Sequence, residues 1–165
     1  MILNALKGKK LPIYGDGQNV RDWLYVTDHC EAVRLVLEQG RIGECYKIGG
    51  RCEKTNVQVV SEICTILDEL CPDFRYAPRS TLITFVPDRP GHDRRYAMDI
   101  SKIHQELGWT PKESFQSGLA RTVRWYLDNP QWLEAVASGA YRQWLKLHYG
   151  ALSQDQPLSG ARQEK

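Results

Sequence analysis

The sequence predicts an α/β chain of small strands and helices that lacks a regular strand–helix–strand series. Three observations carry that expectation. Short runs rich in β-formers end in glycine turns, as in "LPIYGDGQ" and "ECYKIGG". Residues 56–71 carry apolar side chains at three- and four-residue steps, the spacing of one helix face. The 165 residues are 42% apolar and 25% charged, which is ordinary for one domain with a real core.

Taken in order, "LPIYGDGQ" reads as a short apolar strand closed by a Gly-Asp-Gly turn, and "RDWLYV" (21–26) as a second strand. Thr27 or Asp28 is then expected to cap a helix with Ala32, Val33, Val36 and Leu37 on its buried face, stopped at Gly40. "ECYKIGG" (44–50) reads as a strand buried on both faces, although the chain offers few neighbours to cover it. Val60, Ile63, Cys64, Leu67, Leu70 and Cys71 mark the long helix 56–71, with Asn56 as its expected N-cap and Pro72 as its stop. "LITFV" (82–86) is the next strand, and "SKIHQEL" a short helix closed by Gly108. Thr110 and Glu113 have capping-box spacing ahead of a helix carrying Phe115, Leu119, Thr122, Val123 and Tyr126. Pro130 ends it, and two shorter helical pieces follow at 131–137 and 140–148. From 151 to 165 the chain is polar and aperiodic and reads as a disordered tail, leaving 1–150 as the folded region.

A net charge of +2 with no long basic run argues against a nucleic-acid binder. No stretch approaches the roughly 20 apolar residues that span a bilayer. "MILNALKGKK" puts its charges after the apolar run, the reverse of a secretory signal. Five cysteines without a C-x-x-C pair indicate neither a disulfide framework nor a zinc site, so the expected setting is the cytoplasm.

The chemistry concentrates in "VPDRPGHDRRYAMD" (86–99), which packs three acids, three arginines and a histidine around two prolines and a glycine. Pro90 fixes its own φ and biases Arg89 toward extended backbone, and Gly91 permits a sharp turn. Arg89 and His92 can therefore share one side of a rigid corner, where a guanidinium fork suits phosphate oxygens. The plainer reading is a surface loop whose arginines and aspartates pair with each other. Arg21 is a second cation for a diphosphate, or else the partner of Asp22 or Asp16. Tyr14 offers a flat surface to a base, or packs in the core. No G-x-G-x-x-G follows a strand into a helix, and no tyrosine has a lysine four residues later.

Taken together, "LPIYGDGQNVRDWLYVTDH", "GECYKIGG", "EKTNVQVV", "DRPGHDRRYAMD", "ELGWTP" and "SGAYRQWLKLHYG" resemble the C-terminal part of the dTDP-glucose 4,6-dehydratases, members of the extended short-chain dehydrogenase/reductase family. "RDWLYVTDH" alone is shared by many nucleotide-sugar enzymes; "DRPGHDRRYAMD" is much more specific. The resemblance implies the C-terminal substrate-binding part of such an enzyme, with the N-terminal Rossmann half absent. That missing half would hold NAD, the glycine-rich loop and the catalytic tyrosine and lysine. In the family, a hydride leaves C4 of the glucose, water is eliminated across C5 and C6, and the hydride returns to C6.

By the same resemblance, Pro12, Ile13 and Tyr14 line the thymidine site, and Arg21 and Arg89 meet the diphosphate. Asn56, Asp88, Pro90, Gly91 and His92 complete the pocket, and Tyr149 adds a contact near the C-terminus. The chain is then expected to bind a dTDP-sugar, to bind NAD weakly or not at all, and to be inactive alone. Two alternatives stand beside this: a non-catalytic piece that associates with itself or with a Rossmann-domain partner, and a piece of a related nucleotide-sugar epimerase or decarboxylase.

Overall fold

The computed structural model describes residues 1–73 and 75–139. They fall into two compact units, one spanning Met1–Trp125 and a second from Tyr126 onward. The first unit holds α1 (Ile2–Leu6), β1 (Leu11–Tyr14), β2 (Val20–Asp22), α2 (Val26–Gln39), β3 (Glu53–Thr55), α3 (Asn56–Leu70), β4 (Ile83–Val86) and α4 (Ser101–Leu107), and α5 (Phe115–Asp128) begins there. In the second, α6 (Pro130–Ala137) opens on Pro130, where a missing N–H costs nothing. The expected helical piece 140–148, the tail 151–165 and Tyr149 lie outside the described residues.

β1 and β4 form a parallel pair with Tyr14 opposite Val86, so both strands end at the same edge. Parallel partners need a long crossover, and α3 lies on it. Its apolar stripe buries Val59, Val60, Ile63, Cys64, Ile66 and Leu67, and the inward residues of β1, Leu11 and Ile13, are buried as well. β2 and β3 pair antiparallel, with Arg21 opposite Lys54. A second core cluster gathers Ala32 from α2 with Ile100, Ile103 and Trp109. Burial on the inner face of α3 raises the pKa of the Cys64 thiol above its ordinary value.

Several local expectations are corrected. The strand expected over 21–26 is only Val20–Asp22. The Asp22 carboxylate accepts hydrogen bonds from the Gly50 and Cys52 amides at 2.9 and 2.8 Å, and the chain leaves the ladder there. Helix α2 has Tyr25, not Thr27 or Asp28, at its N-cap. Asp28 is buried within its first turn and accepts from the Lys112 and Glu113 amides instead. Val33 and Leu37, expected in the core, are exposed, because α2 packs through Ala32, Leu35 and Val36.

Residues 44–50 are in no ladder among the described residues. Tyr46 and Ile48 pack on the second cluster, while Cys45 and Lys47 face outward. The long helix is capped by Thr55, which forms a capping box with Gln58, so Asn56 is its first residue rather than its cap. The box expected from Thr110 and Glu113 is replaced by Ser114, whose Oγ accepts from the Ser117 amide at 3.1 Å.

Candidate functional site

The two parallel strands deliver β1 and β4 to one edge, and the segments that leave them build the site. This is where open parallel sheets hold ligands, beyond the carboxyl ends of their strands. After β4, the Asp88 carboxylate accepts from the Arg89 amide at 2.8 Å and meets His92 Nδ1 at 2.6 Å. That contact with His92 holds the Asp88 carboxyl below its ordinary pKa. An ionised carboxylate only accepts, so Nδ1 carries the hydrogen and donates. Between them, the His92 amide donates to the Arg89 carbonyl at 3.2 Å, and Gly91 sits at φ +67°. Proline second and glycine third is the pattern of a type II turn, and only glycine tolerates that φ without strain. The corner expected from the sequence is therefore built, with His92 almost fully enclosed beneath it.

β2 anchors the far end of the turn. The Val20 amide donates to the Arg94 carbonyl at 2.8 Å, and the Tyr96 amide donates to the Val20 carbonyl at 3.1 Å. Asn19, 1% exposed, donates through its side-chain amide to the Asp93 carbonyl at 3.2 Å. These bonds bring residues 93–96 alongside Arg21, which donates to the Val20 and Asp93 carbonyls at 2.6 and 3.0 Å. Its guanidinium carbon lies 4.6 Å from the centre of the Tyr96 ring. Tyr96 donates in turn to the Asp93 carboxylate, a bond that raises the phenol's pKa.

The result is one cavity of about 290 Å³ lined by Arg21, Arg89, Pro90, Gly91, His92, Asp93 and Tyr96. The ion pairs around it separate the two readings of its arginines. Arg94 takes Asp16 at 2.8 Å and Arg95 takes Glu53 at 2.5 Å, as solvated pairs on the surface. Asp16 and Asp22, the suggested partners of Arg21, are thus engaged elsewhere. Among the described residues neither Arg21 nor Arg89 has a carboxylate within ion-pair distance. Arg89 instead stacks on Tyr14, 5.3 Å from the ring centre, and Tyr14 meets His92 edge-on at 6.3 Å. Two guanidiniums on one cavity wall, neither of them ion-paired among the described residues, suit a dianionic ligand, and the acid on that wall, Asp93, accepts from Tyr96.

Of the residues singled out in the sequence, Arg21, Arg89, Pro90, Gly91 and His92 line this cavity. Tyr14 and Asp88 support it through Arg89 and His92. Pro12 and Ile13 lie on β1, with Pro12 exposed and the Ile13 side chain buried, so Ile13 offers a ligand its main chain only. Asn56 is half-buried and donates its amide to the Asn19 carbonyl at 3.0 Å, behind the site rather than on its wall. Asp93 and Tyr96 are lining residues that sequence reasoning missed; the signal available was their place in the same charged stretch. A more apolar cavity of about 270 Å³, lined by residues including Trp23, Tyr25, Phe115 and Leu119, has no cation on its wall.

Comparison with known proteins gives the family. Residues 1–122 match the GDP-mannose 4,6 dehydratase family. The chain belongs to it. The dTDP-glucose 4,6-dehydratase of Salmonella typhimurium is 54% identical over 149 residues, covering 90% of this chain and 41% of that protein. The dTDP-glucose 4,6-dehydratase of Bacillus anthracis, solved in complex with NAD, superposes with a TM-score of 0.69 at 52% identity, covering 79% of this chain and 39% of that one. The Streptomyces venezuelae dTDP-glucose 4,6-dehydratase, solved with NAD and TYD bound, gives 0.69 at 47% identity, covering 79% and 38%. The chain thus spans about two fifths of the length of the curated relatives it matches. The fold class expected from the sequence, small strands and helices of the C-terminal part of an extended short-chain dehydrogenase/reductase, is the one observed.

NAD belongs to these relatives, and the described residues do not fit it. The Gly15-Asp16-Gly17 turn runs into strand β2, not into a helix whose N-terminus would receive a pyrophosphate. Among the described residues, no helix is long and apolar enough to cross a membrane.

Proposed function

We propose that the chain is the nucleotide-sugar-binding portion, over residues 1–150, of a dTDP-glucose 4,6-dehydratase. The full-length form would convert dTDP-glucose to dTDP-4-keto-6-deoxyglucose and water. The observation that carries this reading is the pair Arg21 and Arg89, on one cavity wall and, among the described residues, without carboxylate partners. In it the two guanidiniums hold the diphosphate, and His92, oriented by Asp88, adds a donor from the rigid Pro90–Gly91 corner. Tyr14, braced by Arg89, presents its face to the thymine, with Pro12 and the Ile13 main chain beside it. Asn56 supports the wall from behind, and Tyr149 supplies a further contact. The hydride chemistry belongs to NAD and to residues outside this set, so the chain alone binds substrate and does not turn it over. A cytoplasmic setting fits its five free thiols.

Calorimetry with dTDP tests the reading. Binding that is lost in Arg89→Ala is the expected result; equal binding by the variant, or none by the parent chain, overturns it.

A second reading, association with a Rossmann-domain partner or with another copy, is favoured by one place in the fold. Residues 45–49 are in no ladder among the described residues, with Cys45 and Lys47 exposed, and α2 exposes Val26, Val33 and Leu37. Exposed apolar surface of this kind favours association. Light scattering separates the cases, since a monomer that binds dTDP supports the first reading alone.

A further inference from the structure

We infer that Tyr96 is a positioning residue that acts through Asp93: its hydroxyl holds the Asp93 carboxylate away from Arg21 and Arg89, and so keeps their cavity receptive to an anion. This rests on the nucleotide-diphosphate reading of that cavity.

An acid on the wall of an anion cavity competes with the ligand unless something restrains it. Asp93 shares its wall with Arg21, Arg89 and His92. The main chain does not turn the residue away, because the Asp93 carbonyl is fixed by two donors. They are the Asn19 side-chain amide at 3.2 Å and the Arg21 guanidinium at 3.0 Å. The next two residues do not neutralise the carboxylate either, since Arg94 is taken by Asp16 and Arg95 by Glu53. His92 is engaged by Asp88. A loose carboxylate here would therefore meet its open cations on the cavity wall, where Arg21 and Arg89 have no carboxylate partner among the described residues.

Tyr96 supplies the restraint. Its amide is pinned to the Val20 carbonyl at 3.1 Å, and its ring lies 4.6 Å from the Arg21 guanidinium carbon. From the same ring, the hydroxyl donates to the Asp93 carboxylate. One side chain thus serves both signs of charge: the ring face attracts the cation, and the hydroxyl retains the anion. The bond raises the phenol's pKa, so the proton that makes it stays on through the neutral range. Phenylalanine at 96 would keep the stack on Arg21 and lose only the hold on Asp93. The released carboxylate would then pair with a guanidinium of the cavity. An exposed pair of that kind is a modest competitor, worth up to about fivefold in ligand affinity.

Calorimetry of the full chain with dTDP tests the inference in the parent, in Tyr96→Phe, in Asp93→Asn and in the double variant. Both side chains are exposed, so none of these changes disturbs the core. Tyr96→Phe should weaken binding about three- to fivefold. Asp93→Asn, which takes the acid out of the cavity, should tighten binding by about twofold or more. With Asp93→Asn already present, Tyr96→Phe should cost less than about 1.5-fold, because no carboxylate remains to be released. A merely structural role of the hydroxyl would leave the same loss in both backgrounds. Such an undiminished loss, or full dTDP affinity in Tyr96→Phe, overturns the inference and leaves the nucleotide reading standing. A parent chain that does not bind dTDP overturns both.

Discussion

Replacing Arg79 tests how the site's supporting strand is held. Arg79 is 1% exposed and sits one residue past the Ala77–Pro78 bond, in the tight helical turn Arg79–Leu82 that leads straight into β4. Its guanidinium meets Asp68 of α3 at 2.6 Å and donates to the carbonyls of Leu67 at 3.2 Å and Cys71 at 2.8 Å. The Arg79 amide donates to the same carboxylate at 3.0 Å. One side chain thus ties the end of α3 to the start of the strand that presents Asp88 to His92. Arg79→Met removes the cation and leaves a part-buried carboxylate and two carbonyls without it. Breaking a buried pair this way costs about 3–5 kcal/mol. Asp68 keeps a quarter of its side-chain surface in water, which sets the expectation near about 3 kcal/mol. With a urea dependence of about 1–3 kcal/mol per molar, the denaturation midpoint should fall by about 1–3 M, or the cooperative transition should vanish. The Arg79 Nε has no hydrogen-bond partner among the described residues, so part of its burial cost is uncompensated. The double variant Arg79→Met with Asp68→Leu should therefore recover most of the loss. A midpoint shift below about 0.3 M in the single variant, or a double variant no better than the single, would refute the reasoning.

The remaining predictions concern the turns around the site. Gly17 has φ +71°, and a Cβ there would lie 2.9 Å from Ile13 Cγ2 and 3.1 Å from Val57 Cβ. Gly17→Ala should cost at least about 1–2 kcal/mol, read as a melting temperature lower by several degrees; an unchanged melting temperature contradicts the crowding. The hydrogen bond from Arg94 holds the Asp16 carboxyl down at about 2 against an ordinary 3.8. A depressed carboxylate stabilises the fold above its unfolded value and ceases to do so as pH falls through the folded one. Asp16→Asn should thus be less stable than the parent at pH 6, with the gap closing as pH falls from about 4 to about 2; a gap independent of pH contradicts the pair.

How much was legible in the sequence divides along local and non-local lines. Helix α3 was readable because one side of it repeats apolar residues through four turns, and its end was marked by Pro72. The Pro90–Gly91 corner was readable because φ restrictions act on the residue itself. Residues 23–25 misled because β-forming side chains also suit a loop packed on its neighbours, and the Asp22 carboxylate, satisfied by two amides some thirty positions away, ends the ladder early. Asp28 misled for a related reason: an acid in the first turn of one helix serves the amides ahead of another. The ion pairs that occupy Asp16 and Glu53 join residues more than forty positions apart, and no spacing rule reaches them. Tyr96 belongs to the same class, since only its bond to the Val20 carbonyl brings it beside Arg21.

A double-mutant cycle on dTDP affinity with Arg21→Ala and Arg89→Ala tests most directly whether two cations share one ligand. Each single loss should weaken binding by about tenfold or more, as charge-assisted hydrogen bonds do. The combined loss should depart from the product of the two by about twofold or more, because both groups meet the same diphosphate. Full dTDP affinity in either single variant, or strictly multiplicative losses, would contradict the shared site.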